Sequence, residues 1–428
     1  MPGYCDMPAA LKRAVQADAP EEDLPAGRCA RLLELFGTVP DPRDRRGVRH
    51  PVPAVPAVLA IAVAATLAGC KSVLAIAQWA AAADQRTLAA LGARRCRWRR
   101  QHVGPHLATF RRVLASIDAA AVDVVIGIFL AELADAGDVT AGAGPAPGAG
   151  GESGAPAASV PAAGGGPGAG LERPLRGAIS ADGKSVRGAV QPDGRCVHLL
   201  TAMIHGTGAI VAQRDVEHKT NELTQLKPLL GDLDLRGWAV TLDALFVQRN
   251  IARWLAGEKG AAYVFTAAKD NQPTLFAKLD ALPWHDVPVS YVTEERGHGR
   301  HEARTIQVMD APEGIWPHAA QVFLKTGNRS AVAALGLTSA IAAQAGPQRL
   351  HELVRGHWGQ ESRHWIRGTA WSEDASELRT GSAPQILAGL RNLAVGALRA
   401  SGHTHIAAAL RQCAWDPRHA LTVLGVTE

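Results

Sequence analysis

The chain has 428 residues, a net charge of +5 and 47% hydrophobic residues, which is enough for two or three domains with substantial cores and excludes a small stapled scaffold. Six cysteines, Cys5, Cys29, Cys70, Cys96, Cys196 and Cys413, are never closer than 24 residues, so neither a zinc knuckle nor a CxxC redox pair is written here and reduced thiols are expected. The basicity is local: residues 41–112 carry 13 Lys and Arg against 3 Asp and Glu, a net +10, and the remainder is −5. Such asymmetry points to a polyanion, nucleic acid before membrane, because no basic amphipathic helix or lipidation signal accompanies it.

Residues 1–28 are weakly patterned and read as a loose arm; they hold acidic residues and no apolar signal region, which argues against secretion and for a cytoplasmic, nucleoid-associated protein. From Cys29 the pattern turns helical, with Leu32, Leu33, Leu35 and Phe36 on a short apolar face. Asp41 to Pro51 then brings Arg43, Arg45, Arg46 and Arg49 together with His50. Ala57 to Gly69 is apolar for only 13 residues, short of the roughly 20 that span a bilayer, and predicts a buried helix; Val73 to Ala83 and Pro105 to Ile117 predict two more. Between them Ala93 to His102 interleaves five arginines, Arg97, Arg99 and Arg100 among them, with Trp98. That mixture suits phosphate contact and base stacking, with a solvated charged turn as the plain alternative. Residues 136–170 are Gly, Ala, Pro or Ser at 30 of 35 positions, a flexible linker with almost nothing to bury. The expected layout is an arm (1–28), a mainly helical basic domain (29–135), the linker (136–170) and a large α/β domain (171–428).

After the linker the periodicity changes. Ala178 to Ala181 predicts a short strand ending in Asp182, and Cys196 to His205 and Ala209 to Val216 two strands joined at Gly206, Thr207 and Gly208. Asn221 to Leu230 predicts a helix, Trp238 to Leu242 a buried strand ending in Asp243, Val247 to Ala256 a helix, Ala262 to Ala267 a strand, and Pro273 to Leu282 a helix opened by proline. Three strands able to pair as a meander, followed by strand-helix units, specify a mixed sheet with helices on its faces. Strand patterns return from Val287 to Lys325. Pro347 to Gly368 then predicts one helix of about five turns, with His357, Glu361 and Trp365 on one face. Two readings of Glu361 stay open: a solvated acid on an ordinary amphipathic helix whose tryptophans are core, or the last ligand of a metal site. In this order of elements Asp182 and Asp243 sit at neighbouring strand ends. With Glu361 on a covering helix they could hold two divalent cations for phosphoryl transfer, Mg²⁺ being suited by hard oxygen ligands.

Six stretches in order, DGKSVRG (Asp182 to Gly188), EHKTNEL (Glu217 to Leu223), TLDALFVQ (Thr241 to Gln248), AKDNQPTL (Ala268 to Leu275), HGRHEAR (His298 to Arg304) and RGHWGQESRHW with SEDASELRTG (Arg355 to Trp365, Ser372 to Gly381), resemble the DDE transposases of bacterial insertion sequences, in the ISAs branch that includes the H-repeat-associated proteins. DPRDRRGVRHP and the Ala57 to Ala82 helices resemble that family's N-terminal associated domain. The resemblance implies an RNase H-like core of mixed sheet and flanking helices, interrupted by a β-rich insertion at about 284–340. It implies that Asp182, Asp243 and Glu361 are the catalytic triad and ligands of two Mg²⁺ or Mn²⁺ ions. The substrate it implies is double-stranded DNA, namely the element's terminal inverted repeats and a target, and synapsis of two ends implies at least a dimer on DNA. Lys184, Arg187 and Lys269 would meet phosphates, Arg300 and Arg304 would touch the DNA backbone, and His357 would either touch the scissile phosphate or pack structurally. The chain departs from the family at Gln360 and Ser362, where Ile and Asn usually flank the glutamate, and at Gly368, where an Asp is usual. A non-catalytic DNA-binding relative is therefore the alternative to an active transposase.

Overall fold

The computed structural model describes residues 28–43, 54–141, 173–216, 222–267, 271–297, 300–327 and 330–425. Lys269 and most of the 136–170 stretch lie outside these residues. The N-terminal part is helical, as its periodicity predicts: α1 (Arg28–Gly37), α2 (Val55–Leu67), α3 (Val73–Ala82), α4 (Gln85–Ala90), α5 (Leu107–Ser116) and α6 (Ala119–Ala141). Ser72 and Asp84 cap α3 and α4 by accepting from the Ala75 and Thr87 amides, supplying partners for amides that no helical carbonyl reaches. Twelve of the thirteen residues of α2 are buried, so its uniform apolarity marks the centre of a bundle. Among the described residues no single helix is long and apolar enough to cross a membrane. The arginine-rich stretch between α4 and α5 is a hairpin of two short antiparallel strands, β1 (Arg95–Cys96) and β2 (Gln101–His102). The α6 helix was not foreseen, and it continues through 136–141, where a linker was expected.

One sheet of nine strands comes next. In chain order these are β3 (Gly177–Val190), β4 (Cys196–Ile204), β5 (Ile210–Asp215), β6 (Trp238–Leu242), β7 (Ala262–Ala267), β8 (Tyr291–Gly297), β9 (Arg300–Asp310), β10 (Gln321–Gly327) and β11 (Ser330–Thr338). Across the sheet they run β5-β4-β3-β6-β7-β11-β10-β9-β8, with β3, β6 and β7 mutually parallel and the other pairings antiparallel. The meander and the strand-helix units are those the sequence predicts, with α7 (Glu222–Leu230) after β5, α8 (Arg249–Arg253) after β6 and α9 (Pro273–Asp280) after β7. The β-rich stretch expected as an insertion does not form a sheet of its own. Strand β11 pairs with β7 from Leu335↔Ala267 to Thr338↔Val264 and so extends the main sheet, because β7 would otherwise expose an edge of unpaired amides and carbonyls.

Beyond the sheet come α10 (Pro347–His357), α11 (Gly359–Ala370), α12 (Ala383–Ala400), α13 (Ile406–Trp415) and α14 (Pro417–Val423). The last three close the N-terminal bundle. One continuous core joins Cys29 to Leu133 with Trp371, residues of α12 such as Leu390 and Leu398, and Leu424. The approach is close enough to need glycine: a Cβ on Gly396 of α12 would lie 2.4 Å from Leu130 of α6, and one on Gly127 of α6 would lie 2.4 Å from the Val211 carbonyl of β5. The stretch around 142–172 thus divides the sequence, while the helices on either side share one interior. A second core, built on Leu200, Trp238, Val240 and Phe265, lies under α7 and α8 on the sheet.

Candidate active site

The register of the parallel pair places the acidic residues. Ala181 of β3 is partnered by Leu242 of β6, so Asp182 and Asp243 are the next residues on strands about 4.8 Å apart. Asp243 ends its strand and caps the following turn through the Leu245 amide at 3.1 Å. Asp182, contrary to the expectation from sequence, does not end its strand: β3 runs on to Val190 against β4. It marks instead the point where β3 loses its partner β6. Lys184, two residues on, therefore shares a face with Asp182, while Arg187 falls on the other.

Glu361 reaches this edge from α11. The predicted five-turn helix is two helices, broken at Trp358, which ends α10 and begins α11. Glycines flank the break for reasons of space: a Cβ on Gly356 would lie 2.2 Å from His205 Nδ1, and one on Gly359 would lie 2.9 Å from Met203. Helix α11 runs through Gly368 to Ala370. Gln360, where the family usually has Ile, is buried and satisfied: its Nε2 donates to the Ser180 and Thr201 carbonyls at 3.0 and 3.2 Å, and its Oε1 accepts from the Thr201 hydroxyl at 3.4 Å. Glu361 next to it is exposed, and Trp358 and Trp365 are 59% and 69% exposed, so the tryptophans are not core. At Gly368 a Cβ would lie 3.6 Å from Asp374 Oδ2, and Asp374 accepts from Lys184 Nζ at 3.1 Å. A carboxylate is thus present beside position 368 although no Asp occupies it.

The electrostatics record the gathering of acids. Burial, then the charges of Asp243, Glu222 and Glu361, push Asp182 up to about 7 against the pull of the Gly183 amide. His364 Nδ1 is 3.7 Å from Asp182 Oδ2, beyond hydrogen-bond reach, and burial pushes His364 down to about 3, so it supplies no counter-charge. The donor set, three carboxylates at the edge of a sheet, is the hard-oxygen kind that Mg²⁺ or Mn²⁺ takes. As the side chains stand, no three acidic, His or Cys groups among the described residues are close enough to share an ion. Asp182 is within range of the charges of Asp243 and Glu361, while the three carboxylates do not converge to ligand distance.

A group that the sequence did not single out lies beneath. His198 Nε2 meets Glu222 Oε1 at 2.7 Å and His198 Nδ1 meets Ser185 Oγ at 2.8 Å, both residues of the pair being buried. A Cβ on Gly183 would lie 2.5 Å from His198 and 2.7 Å from Glu222, so the glycine beside Asp182 is what lets this pair lie against β3. The EHKTNEL stretch contained the signal, but its Glu222 had no role without the fold.

The other expected residues disperse. His357 Nδ1 meets the Thr241 hydroxyl at 3.2 Å, and the same hydroxyl meets His205 Nε2 at 3.1 Å, which ties α10 to the sheet. Arg304 is paired with Glu295 at 3.0 Å and with Glu302, and Arg355 bonds Glu295 too; these arginines hold Glu295 at about 2. Arg300 pairs with Gly297 on β8 through its backbone. Arg97, Arg99 and Arg100 are exposed at the hairpin tip around Trp98, itself 96% exposed.

The chain matches known families over both of its main parts. The family model described as "Transposase DDE domain" matches residues 174–395, and the one described as "DDE_Tnp_1-associated" matches residues 33–130. The "H repeat-associated putative transposase YhhI" of Escherichia coli K12 is 26% identical over 244 residues, 51% of this chain and 63% of that protein. The "Putative transposase YncI" of Escherichia coli O157:H7 is 28% identical over 245 residues, 52% of this chain and 61% of that protein. The chain thus spans less than two thirds of the length of either. A solved structure titled as the piggyBac transposase synaptic complex with hairpin DNA aligns over 92% of this chain and 80% of that one, at 9% identity and a TM-score of 0.40.

Proposed function

We propose, from the premise that this chain belongs to the family of transposases with a DDE domain, that it cuts double-stranded DNA at the ends of an insertion sequence and joins those ends to a target. The observation that carries this reading is the placement of Asp182 and Asp243 side by side at the parallel β3/β6 edge, with Glu361 within range of their charge. The meander followed by strand-helix units supports an RNase H-like core. Asp182, Asp243 and Glu361 would hold two Mg²⁺ or Mn²⁺ ions, which when bound supply charge stabilisation at a phosphodiester and an activated hydroxyl. The chain's own contribution is to orient the acids. Strand β6 ends just before Asp243, whose cap of the following turn fixes the backbone there; Gln360 pins the first turn of α11 to β3 and β4, so Glu361 is delivered on a rigid element. Lys184, engaged by Asp374, positions the β3 face that bears Asp182. Dimeric assembly on DNA in the cytoplasm belongs to the same proposal.

The test is cleavage of a labelled duplex carrying the inverted repeat that flanks the coding element, with Mg²⁺ or Mn²⁺. Wild type should nick at the repeat boundary, and Asp182→Asn, Asp243→Asn and Glu361→Gln should bind the repeat and not nick. Nicking at the wild-type rate by any variant removes that residue from the site. Binding without nicking by the wild type would assign the non-catalytic alternative.

A further inference from the structure

A second feature of the fold is not used by this chemistry. Residues after β6 and β7, with Ile315 and Trp316 of the loop between β9 and β10, line a pocket of about 550 Å³ whose charged lining among the described residues is Arg249 and Arg253 of α8 and Lys278 of α9. Trp316 forms part of the wall, is 8% exposed, and has an indole N–H without a partner. The Arg249 guanidinium sits 4.6 Å from the Trp316 ring centroid, a stacking that presets its orientation and leaves its donors for another group. Among the described residues none of the three cations is in an ion pair. Arg304, Arg355 and Arg367 are paired with carboxylates; here three cations share one cavity with no carboxylate among its described lining residues.

Its position gives the chemistry. Strands β6 and β7 are parallel, and the helices that follow their carboxyl ends, α8 and α9, supply the cations, while Ile315 and Trp316 come from the loop between β9 and β10, which the pairing of Gln321 with Thr338 and of Thr338 with Val264 sets at the amino end of β7. Asp243 lies at the carboxyl end of β6. In the strand order β3-β6-β7 the pocket therefore lies past Asp243 on the side away from Asp182. We infer that this pocket, formed by Arg249, Arg253, Lys278 and Trp316, binds phosphodiesters of a DNA strand that continues from the acidic residues over α8 and α9. The inference rests on DNA being the substrate. Free phosphate or a nucleotide shares the chemistry, and the test separates them.

The experiment uses the full chain and fluorescence anisotropy on a labelled duplex over a range of salt. Removing Arg249, Arg253 and Lys278 together as alanines should lower the slope of log affinity against log salt by about 2 to 3, since each phosphate contact contributes roughly 0.9. Arg249→Lys should keep the slope and weaken binding several-fold, because the charge remains and the stacked fork is lost. If the triple variant melts below the wild type, Lys278→Ala alone serves, with an expected slope change of about 1. Wild-type affinity and slope in a folded variant overturn the inference while leaving the proposed function standing. Absence of duplex binding by the wild type overturns both. Calorimetric titration with pyrophosphate is the second arm: a site that binds it, loses it in the triple variant and leaves duplex affinity unchanged is a free-phosphate site, which also overturns the assignment to DNA.

Discussion

Replacing Glu373 with Gln tests how the Glu361 helix is held. Glu373 is 0% exposed; it accepts hydrogen bonds from Arg367 Nε of α11 at 2.9 and 3.0 Å and from Arg391 Nη1 of α12 at 3.0 Å, and Arg367 Nη2 lies at ion-pair distance, 2.8 Å. Burial alone would raise this carboxyl; the two guanidinia overcome that and hold it at about 2. Measured from its ordinary 4.5, the stabilisation of the charged form is about 3 kcal/mol at 1.36 kcal/mol per unit. Burial holds Arg391 below the usual arginine range, which offsets part of that gain while Glu373 is present and adds to the cost once it is gone. Breaking such a buried pair costs roughly 3 to 5 kcal/mol. Glu373→Gln should therefore lose about 3 to 5 kcal/mol in urea unfolding at pH 7 followed by tryptophan fluorescence. Glu373 is a depressed acid, so its contribution is complete above about 4.5 and disappears as pH falls from there to about 2; the gap between wild type and variant should close over that window. A loss below about 1 kcal/mol at pH 7, or a gap that persists at pH 2, would refute the reasoning.

Three further outcomes rest on the described contacts. Gly183→Ala should destabilise by about 1 to 3 kcal/mol and suppress cleavage, because its Cβ would collide with His198 and Glu222 behind Asp182; nicking assays and unfolding on the same preparation check both. Asp123, pushed up to about 8 by burial and bonded by Gln213 and Gln385, is a raised acid whose contribution is complete below about 4 and lost as pH rises to about 8, so the stability of the wild type relative to Asp123→Asn should fall across that window in denaturation curves taken at successive pH values. Replacing Arg97, Arg99 and Arg100 by alanine should leave stability within about 0.5 kcal/mol, since all three are exposed at a turn, while anisotropy shows weaker duplex binding with a shallower salt slope.

Local pattern made part of this molecule legible in the sequence. The β3, β4 and β5 meander, the β6/α8 and β7/α9 units and the positions of Asp182 and Asp243 come from alternation and from turn residues, and the register sets the two acids side by side. Features that depend on distant partners were not legible. The break at Trp358 is invisible to a three-and-four spacing that continues through it; it is fixed by Gly356 and Gly359 meeting His205 and Met203. The exposure of Trp365 and the burial of Arg363 and Arg367 reverse the usual preference of these residue types, because α12 brings Asn392 and the 373 turn brings Glu373 to the arginines. That Lys184 and Arg304 are occupied by Asp374, Glu295 and Glu302 could not be read from their own neighbourhoods.

The bundle core shared by residues 29–133 and residues 371–424 bears on how the polypeptide is made. Synthesis runs from the amino end, so α1 to α6 leave the ribosome without the helices that cover Leu130 and Phe129, and the intervening nine-stranded sheet must be produced before α12 to α14 arrive. Nascent chains halted anywhere before about residue 400 should present that uncovered apolar face to chaperones and proteases. Contacts between such distant segments are also slow to find, which makes closure of the bundle the expected late event in maturation. Only then is the arginine-rich hairpin mounted on a finished support.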